Sequence, residues 1–138
     1  MERNIARVLP VAFLAVSLAA GDLAAPTAAR IIRVIVQATG GTKVDCADKE
    51  LAGELANLGL PQDPAAKVAW ADSQHEVARL AKEGKLVICG REEWMADGAA
   101  VVLTAEGGRP SITLSMKNLG ASGVTLPDSV VKIAKVVK

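Results

Sequence analysis

GAAVVLTAEGGRPSITLSMKNLGASGVTLPDSVVKIAKVV, residues 98–137, decides how the rest of the chain is read. Two apolar runs, residues 99–103 and 112–116, flank the sequence Glu106-Gly107-Gly108-Arg109-Pro110. Glycine supplies positive φ and proline interrupts a strand ladder, so the pattern predicts a β-hairpin. A short polar connection, residues 117–125, follows. Pro127-Asp128-Ser129 then opens a predicted closing helix whose apolar face is Val130, Val131, Ile133, Ala134, Val136 and Val137. Nothing in the stretch is catalytic in kind; its residues are packing residues.

Working outward, the whole chain has 138 residues, which fits one domain. Hydrophobic residues make up 51%, enough for a substantial core at this length, while aromatics are only 2%. The core must therefore be aliphatic. Sixteen basic residues balance fifteen acidic ones for a net charge of +1, so no basic footprint for nucleic acid is present, and stacking aromatics are scarce. At the N-terminus, Arg3 and Arg7 precede an uncharged apolar run at residues 8–20, followed by small residues around Ala19-Ala20-Gly21. This is the layout of a secretory signal peptide over residues 1–21. The run is shorter than the roughly 20 residues that span a bilayer. The competing readings are a buried N-terminal helix and an uncleaved anchor. With the leader removed, a single domain over residues 22–138 faces an oxidising compartment, the periplasm.

Between leader and hairpin, helices and strands alternate. Thr27 is positioned to cap a helix to Gln37, with Ile31, Ile32, Val34 and Ile35 on one face and Gly40-Gly41 after its end. Residues 43–46 read as a short strand. Asp48 is placed to cap a helix over residues 49–58, and residues 67–71 read as a strand carrying Val68 and Trp70. Asp72 or Ser73 starts a third helix that ends at Gly84. Residues 85–89 (KLVIC) are continuously apolar inside, as in a strand buried on both faces. Residues 91–97 form a short helix or loop. The expected fold is therefore α/β: a small two-layer or three-layer domain with a partly parallel sheet, a C-terminal β-hairpin and a closing helix.

Few residues carry chemistry. Cys46 and Cys89 each end a predicted strand. In a flavodoxin-like strand order, second-first-third, those strands are neighbours and a disulfide can form, closing about 43 residues and contributing roughly 4 kcal/mol. Two buried free thiols are the alternative. No CxxC pair is present, and two cysteines with one histidine so far apart are a weak metal set, so neither a metal nor a cofactor is expected. His75, the sole histidine, reads as a surface residue at the start of a helix. Gly40-Gly41 and Gly107-Gly108 fit no phosphate loop. Asp45, Asp72 and Arg91 are the polar groups nearest the predicted strand ends, where open α/β sheets bind ligands. Trp94 and Met95, in a charged segment, are candidate partner-contact residues, weighed against core packing.

The closing stretch also resembles the YfiR-like family of small exported bacterial proteins. The residues that carry the likeness are Ala28-Ala29-Arg30-Ile31-Ile32, an apolar strand ending at Gly90, and a closing pattern. That pattern runs from Gly98 through Glu106-Gly107-Gly108-Arg109, Ile112-Thr113-Leu114-Ser115-Met116, Lys117-Asn118 and Gly123-Val124-Thr125-Leu126 to Ser129. The likeness covers the last fifty or so residues well and the rest loosely. Where family members carry an aromatic-proline step after the first helix, this chain has Val36-Gln37-Ala38-Thr39-Gly40. The resemblance implies a periplasmic, non-catalytic regulator, similar to a disulfide-bearing, dimer-forming repressor of an inner-membrane diguanylate cyclase. It also implies a disulfide role for Cys46 and Cys89.

The leading expectation is a small periplasmic regulatory or binding protein that acts by protein–protein contact, with a homodimer as a further candidate partner form. The first alternative is a small-ligand binder or enzyme that uses the strand-end crevice. The second is a membrane-anchored assembly protein with an uncleaved N-terminal helix.

Overall fold

Local sequence signals set most of the elements. The computed structural model describes residues 23–138, so the leader read at residues 1–21 lies outside the described residues. Helix α1 spans Ala25–Ala38 and starts two residues before Thr27, with Pro26 in its first turn. Proline suits that place because its missing N–H has no helical partner to lose. Strand β1 is Asp45–Cys46. Helix α2, Lys49–Asn57, is capped by Asp48, whose carboxylate accepts from the Leu51 backbone N–H at 2.9 Å. Strand β2 is Val68–Trp70. Helix α3, Gln74–Lys82, is capped by Ser73 and not by Asp72, the Ser73 hydroxyl accepting from the Glu76 N–H at 3.1 Å.

Strand β3, Leu86–Cys89, is buried along its whole length, as its continuous apolar run requires. A 3₁₀ helix at Glu92–Asp97 leads into β4, Val101–Glu106, and β5, Arg109–Ser115. Glu106 pairs with Arg109, leaving Gly107-Gly108 as a two-residue loop with φ of +58° and +80°. Two positive φ angles in a row give the turn whose twist matches the strands on either side, which is why a Gly-Gly step sits there. Pro110 joins the ladder opposite Ala105, at the exposed end of the hairpin.

Two features of the closing stretch differ from the sequence expectation. The polar connection is a helix, α4, at Met116–Ser122. Ser115 caps it, and Gly123 ends it in the left-handed region at φ +74°. The closing helix shrinks to one turn, α5, at Asp128–Val131, and the chain finishes as strand β6, Lys135–Val137, parallel to β5. Val136 and Val137 are β-branched and find backbone partners in β5, and this pairing outweighs the partial helical spacing of the apolar residues.

Among the described residues the sheet has six strands in sequential order, β1-β2-β3-β4-β5-β6. All neighbours are parallel except β4 and β5. The domain is thus α/β, with a mostly parallel sheet carrying a C-terminal hairpin. Alternating strand residues divide the core into two parts. Val68, Leu86, Ile88, Val101, Leu103 and Leu114 pack under α1, α2 and the C-terminal segment in the larger part. Ala69, Ala71, Val87, Cys89 and Val102 pack under α3 in the smaller part. Helices on both faces make this a three-layer arrangement. On α1 the buried side chains are Ala28, Ala29, Ile32, Ile35 and Val36. Val34, expected on the core face, is 49% exposed.

Candidate functional site

Sequential strand order corrects the expected disulfide. The second-first-third order would have placed the strands of Cys46 and Cys89 side by side, but β2 lies between them. Cys46 is level with Trp70 and packs in the larger core, whereas Cys89 is one step beyond Ile88 and packs in the smaller one. The two sulfurs therefore lie on opposite faces of the sheet, and both cysteines are free and buried. Each thiol donates to a nearby carbonyl, Cys46 to Asp48 at 3.6 Å and Cys89 to Arg91 at 3.3 Å. Burial pushes Cys46 up to about 12 and Cys89 to about 11, partly offset by the backbone around Asp48 and Arg91 respectively. Thiols so held are poor nucleophiles and pack as small apolar groups.

The C-terminal ends of β1, β2 and β3 open into a cleft of about 300 Å³. Its walls are built by short, well-determined local moves. The α2 cap supplies Asp48, and the first turn of α2 adds Glu50 and Leu51. The end of β2 contributes Trp70, Ala71 and Asp72, and the end of β3 contributes Gly90 and Arg91. Trp94 from the 3₁₀ helix and Ala25 and Ala28 from α1 close the sides. Trp70 donates its indole N–H to Asp72 Oδ1 at 2.7 Å, which fixes the ring against the rim. A Cβ at Gly90 would lie 3.7 Å from that ring, within ordinary contact. Arg91 holds its guanidinium 5.8 Å from the centre of the Trp94 ring.

The charge balance of the cleft is negative, with three carboxylates and one guanidinium. Asp72 is held above its ordinary value, first by desolvation at the cleft wall and then by the negative charges of Asp48 and Glu76, while the Trp70 hydrogen bond opposes the shift. Among the described residues, the ion pairs leave Asp48, Glu50 and Asp72 without a basic side-chain partner.

Of the three polar residues expected at the strand ends, Asp72 and Arg91 line this cleft and Asp45 does not. Asp45 instead binds Lys85 Nζ at 2.8 Å, with both side chains largely withdrawn from water. The Lys85 ammonium also donates to the Pro64 carbonyl, so the pair ties β1 to the start of β3. Asp45 pairs with Ala69 across the ladder, whereas Cys46, the next residue, faces the larger core. The alternation that buries Cys46 turns Asp45 away from the cleft. Sequence reasoning read Asp48 as a helix cap, weighed it with Asp45 as an acidic pair better explained by mixed surface charge, and passed over Glu50. The sign available was position: a cap immediately after a parallel strand stands at the ligand-binding edge of the sheet.

Trp94 and Met95 are half-buried against the smaller core, and Trp94 serves as a cleft wall. Large apolar side chains are exposed elsewhere, at Val34 on α1, at Met116 at the start of α4 and near the C-terminus. Ile133 is 68% exposed, and Val136 and Val137 are both exposed on β6. Ile133 lies in the turn before β6, Val136 and Val137 point to opposite faces of that strand, and among the described residues β6 has β5 on one side only. His75 stands exposed on α3 as expected. No helix among the described residues is long and apolar enough to cross a membrane, and the same residues hold no cluster of three or more side chains suited to a metal ion.

No family model matches the chain, and no curated protein matches it. Solved structures do share its fold. A conserved domain protein from Vibrio cholerae O1 biovar El Tor aligns over 83% of this chain with a TM-score of 0.61 at 12% identity. An ABC domain from Streptococcus pneumoniae, solved in complex with L-Trp, aligns over 82% with a TM-score of 0.60, again at 12% identity. The chain spans 60% and 62% of the length of these two proteins. At that identity the likeness is one of fold, and it agrees with the α/β architecture described above.

Proposed function

We propose that this chain is an exported, non-catalytic regulatory domain that acts by contact with another protein, an inner-membrane signalling protein such as a diguanylate cyclase being the first partner to test. The observation that carries the reading is the β6 edge. Among the described residues its outer backbone groups have no strand beside them, and Ile133, in the turn before it, and Val136 and Val137, on its two faces, present exposed apolar side chains. Such an edge supplies main-chain hydrogen bonds for affinity and alternate side chains for specificity when a partner strand adds to it. The resemblance of residues 98–137 to exported regulators and the leader-like residues 1–21 support the same reading.

The test replaces Ile133 and Val136 with lysine and follows the output of the candidate partner in cells. If cyclic di-GMP level is the output, the lysine variants behave like a deletion while the protein remains folded and abundant. Variants that regulate as well as the parent protein contradict the reading.

A second reading is favoured by the cleft at the strand ends, which makes the domain a small-ligand binder. Its position is where parallel sheets bind ligands. Its volume of about 300 Å³ suits a small molecule. The fold neighbour solved with L-Trp adds some weight to this reading. The two readings are compatible in one regulatory domain.

A further inference from the structure

The charge and the walls of the strand-end cleft say what kind of molecule would suit it, and this step rests on the small-ligand reading just given. Two aromatic rings, Trp70 and Trp94, face a space of about 300 Å³. In a chain with so few aromatics, two at one cleft are a concentrated apolar surface. Trp70 is only half-buried although it is the largest side chain on β2, and its ring is held in place by the bond to Asp72. Acidic groups dominate the polar lining. Asp48, Glu50 and Asp72 come from two separate elements and converge on one cleft. Arg91 is occupied over Trp94, at the side contributed by the 3₁₀ helix.

We propose that the cleft binds a small organic cation, a protonated amine on an apolar body, with the ammonium at Asp48 and Asp72, Glu50 adding negative charge at the rim, and the body against Trp70 and Trp94. A cation relieves the repulsion between the carboxylates, and the Trp70 ring attracts positive charge as well. A purely anionic ligand would meet three carboxylates and one guanidinium. A neutral apolar ligand would leave the acidic wall with nothing to pair with. The charge complementarity therefore selects the cation.

The test is isothermal titration of the folded protein with 2-phenylethylamine at neutral pH, alongside 2-phenylethanol, which has the same body and no charge. The amine is expected to bind saturably, the alcohol at least tenfold more weakly. Asp72→Asn keeps an oxygen to accept from the Trp70 indole and removes the charge; it is expected to weaken amine binding about tenfold. Raising the salt concentration weakens amine binding in the parent protein as well, a readout that needs no variant. Equal binding of amine and alcohol, with both perturbing tryptophan emission, would overturn the cation assignment and leave the cleft as a ligand site. If neither probe binds at millimolar concentration, both the assignment and the small-ligand reading fail.

Discussion

Labelling of the two cysteines is the prediction that most sharply separates this structure from its sequence expectation. Parallel strands lie ~4.8 Å apart, so residues two strands apart are roughly 10 Å apart at Cα, whereas a disulfide needs less than ~7 Å. Cys46 and Cys89 are two strands apart and on opposite faces. Bonding them would require β2 to leave the sheet. Their ionisation reinforces the point. At pH 8 a thiol raised to about 12, as in Cys46, is a thiolate in about one molecule in ten thousand, against about one in ten for a thiol at the ordinary value of 9.0. Cys89, raised to about 11, is a thiolate in about one in a thousand. Alkylation in the native state is therefore slowed about a hundredfold for Cys89 and more for Cys46 by ionisation, before steric access is counted.

The assay is a two-step iodoacetamide experiment on protein isolated from its native host without reductant. A light reagent is applied under native conditions. An isotopically heavy reagent follows in guanidinium without reductant, and the products are weighed. Two heavy labels and no light ones are expected. A chain that accepts label only after reductant is added contains the bond and refutes the strand order. Rapid light labelling of both thiols refutes their burial.

Other consequences are open to measurement. Stability falls as pH rises above the ordinary thiol value of 9.0, because the folded state resists ionisation of Cys46 and Cys89 up to about 12 and 11 while the unfolded chain does not. Urea midpoints measured between pH 8 and 11 should show this loss, reduced in the Cys46→Ala, Cys89→Ala double variant relative to its own value at pH 8. Gly98 adopts φ +121°, and a Cβ there would come 2.5 Å from the Cβ of Ala81. Gly98→Ala should thus cost about 2–4 kcal/mol in chemical denaturation. Gly53, inside α2 with open space around it, gives the opposite sign: Gly53→Ala should stabilise by about 0.5–1 kcal/mol. Asp45→Ala leaves the withdrawn Lys85 ammonium with the Pro64 carbonyl and a long 4.0 Å contact to Glu83, and should cost about 1–3 kcal/mol in the same assay. Glu106→Ala, at an exposed ion pair with Lys135, should change stability by less than about 1 kcal/mol.

Much of the fold was legible because local and long-range signals agreed. Residues 85–89 could only be a buried strand, and Gly107-Gly108 could only be a tight hairpin turn. Asp48 and Ser73 cap the helices that follow them. The failures share a cause: pairing between distant residues overrode or supplied what local pattern lacked. The segment 116–122 holds Asn118, Gly120 and Ser122, all weak helix formers, so its helix depends on the cap from Ser115 and on burial of Leu119. Asn118 adds to this by donating to the carbonyls of Met95 and Ala99, both at 2.8 Å. Val136 and Val137 fit a helix face on spacing, and only β5 makes them a strand.

Strand order was the costliest unknown, because no local signal specifies which strands are neighbours. It decided the fate of both cysteines. For the cleft, Asp72 and Arg91 were found from strand ends alone. Asp45 was misplaced by one residue of alternation, since in a strand a single step exchanges one face for the other.

The proposed contact edge is tested most directly by photo-cross-linking in living cells. A benzoylphenylalanine at position 136 reports what touches β6, and one at position 78, exposed on α3, serves as the control. The account predicts an adduct between position 136 and an inner-membrane signalling protein, absent from position 78 and lost when Ile133 is replaced by lysine. Adducts of equal yield from both positions, or none from position 136 in protein shown to be folded and exported, would contradict it.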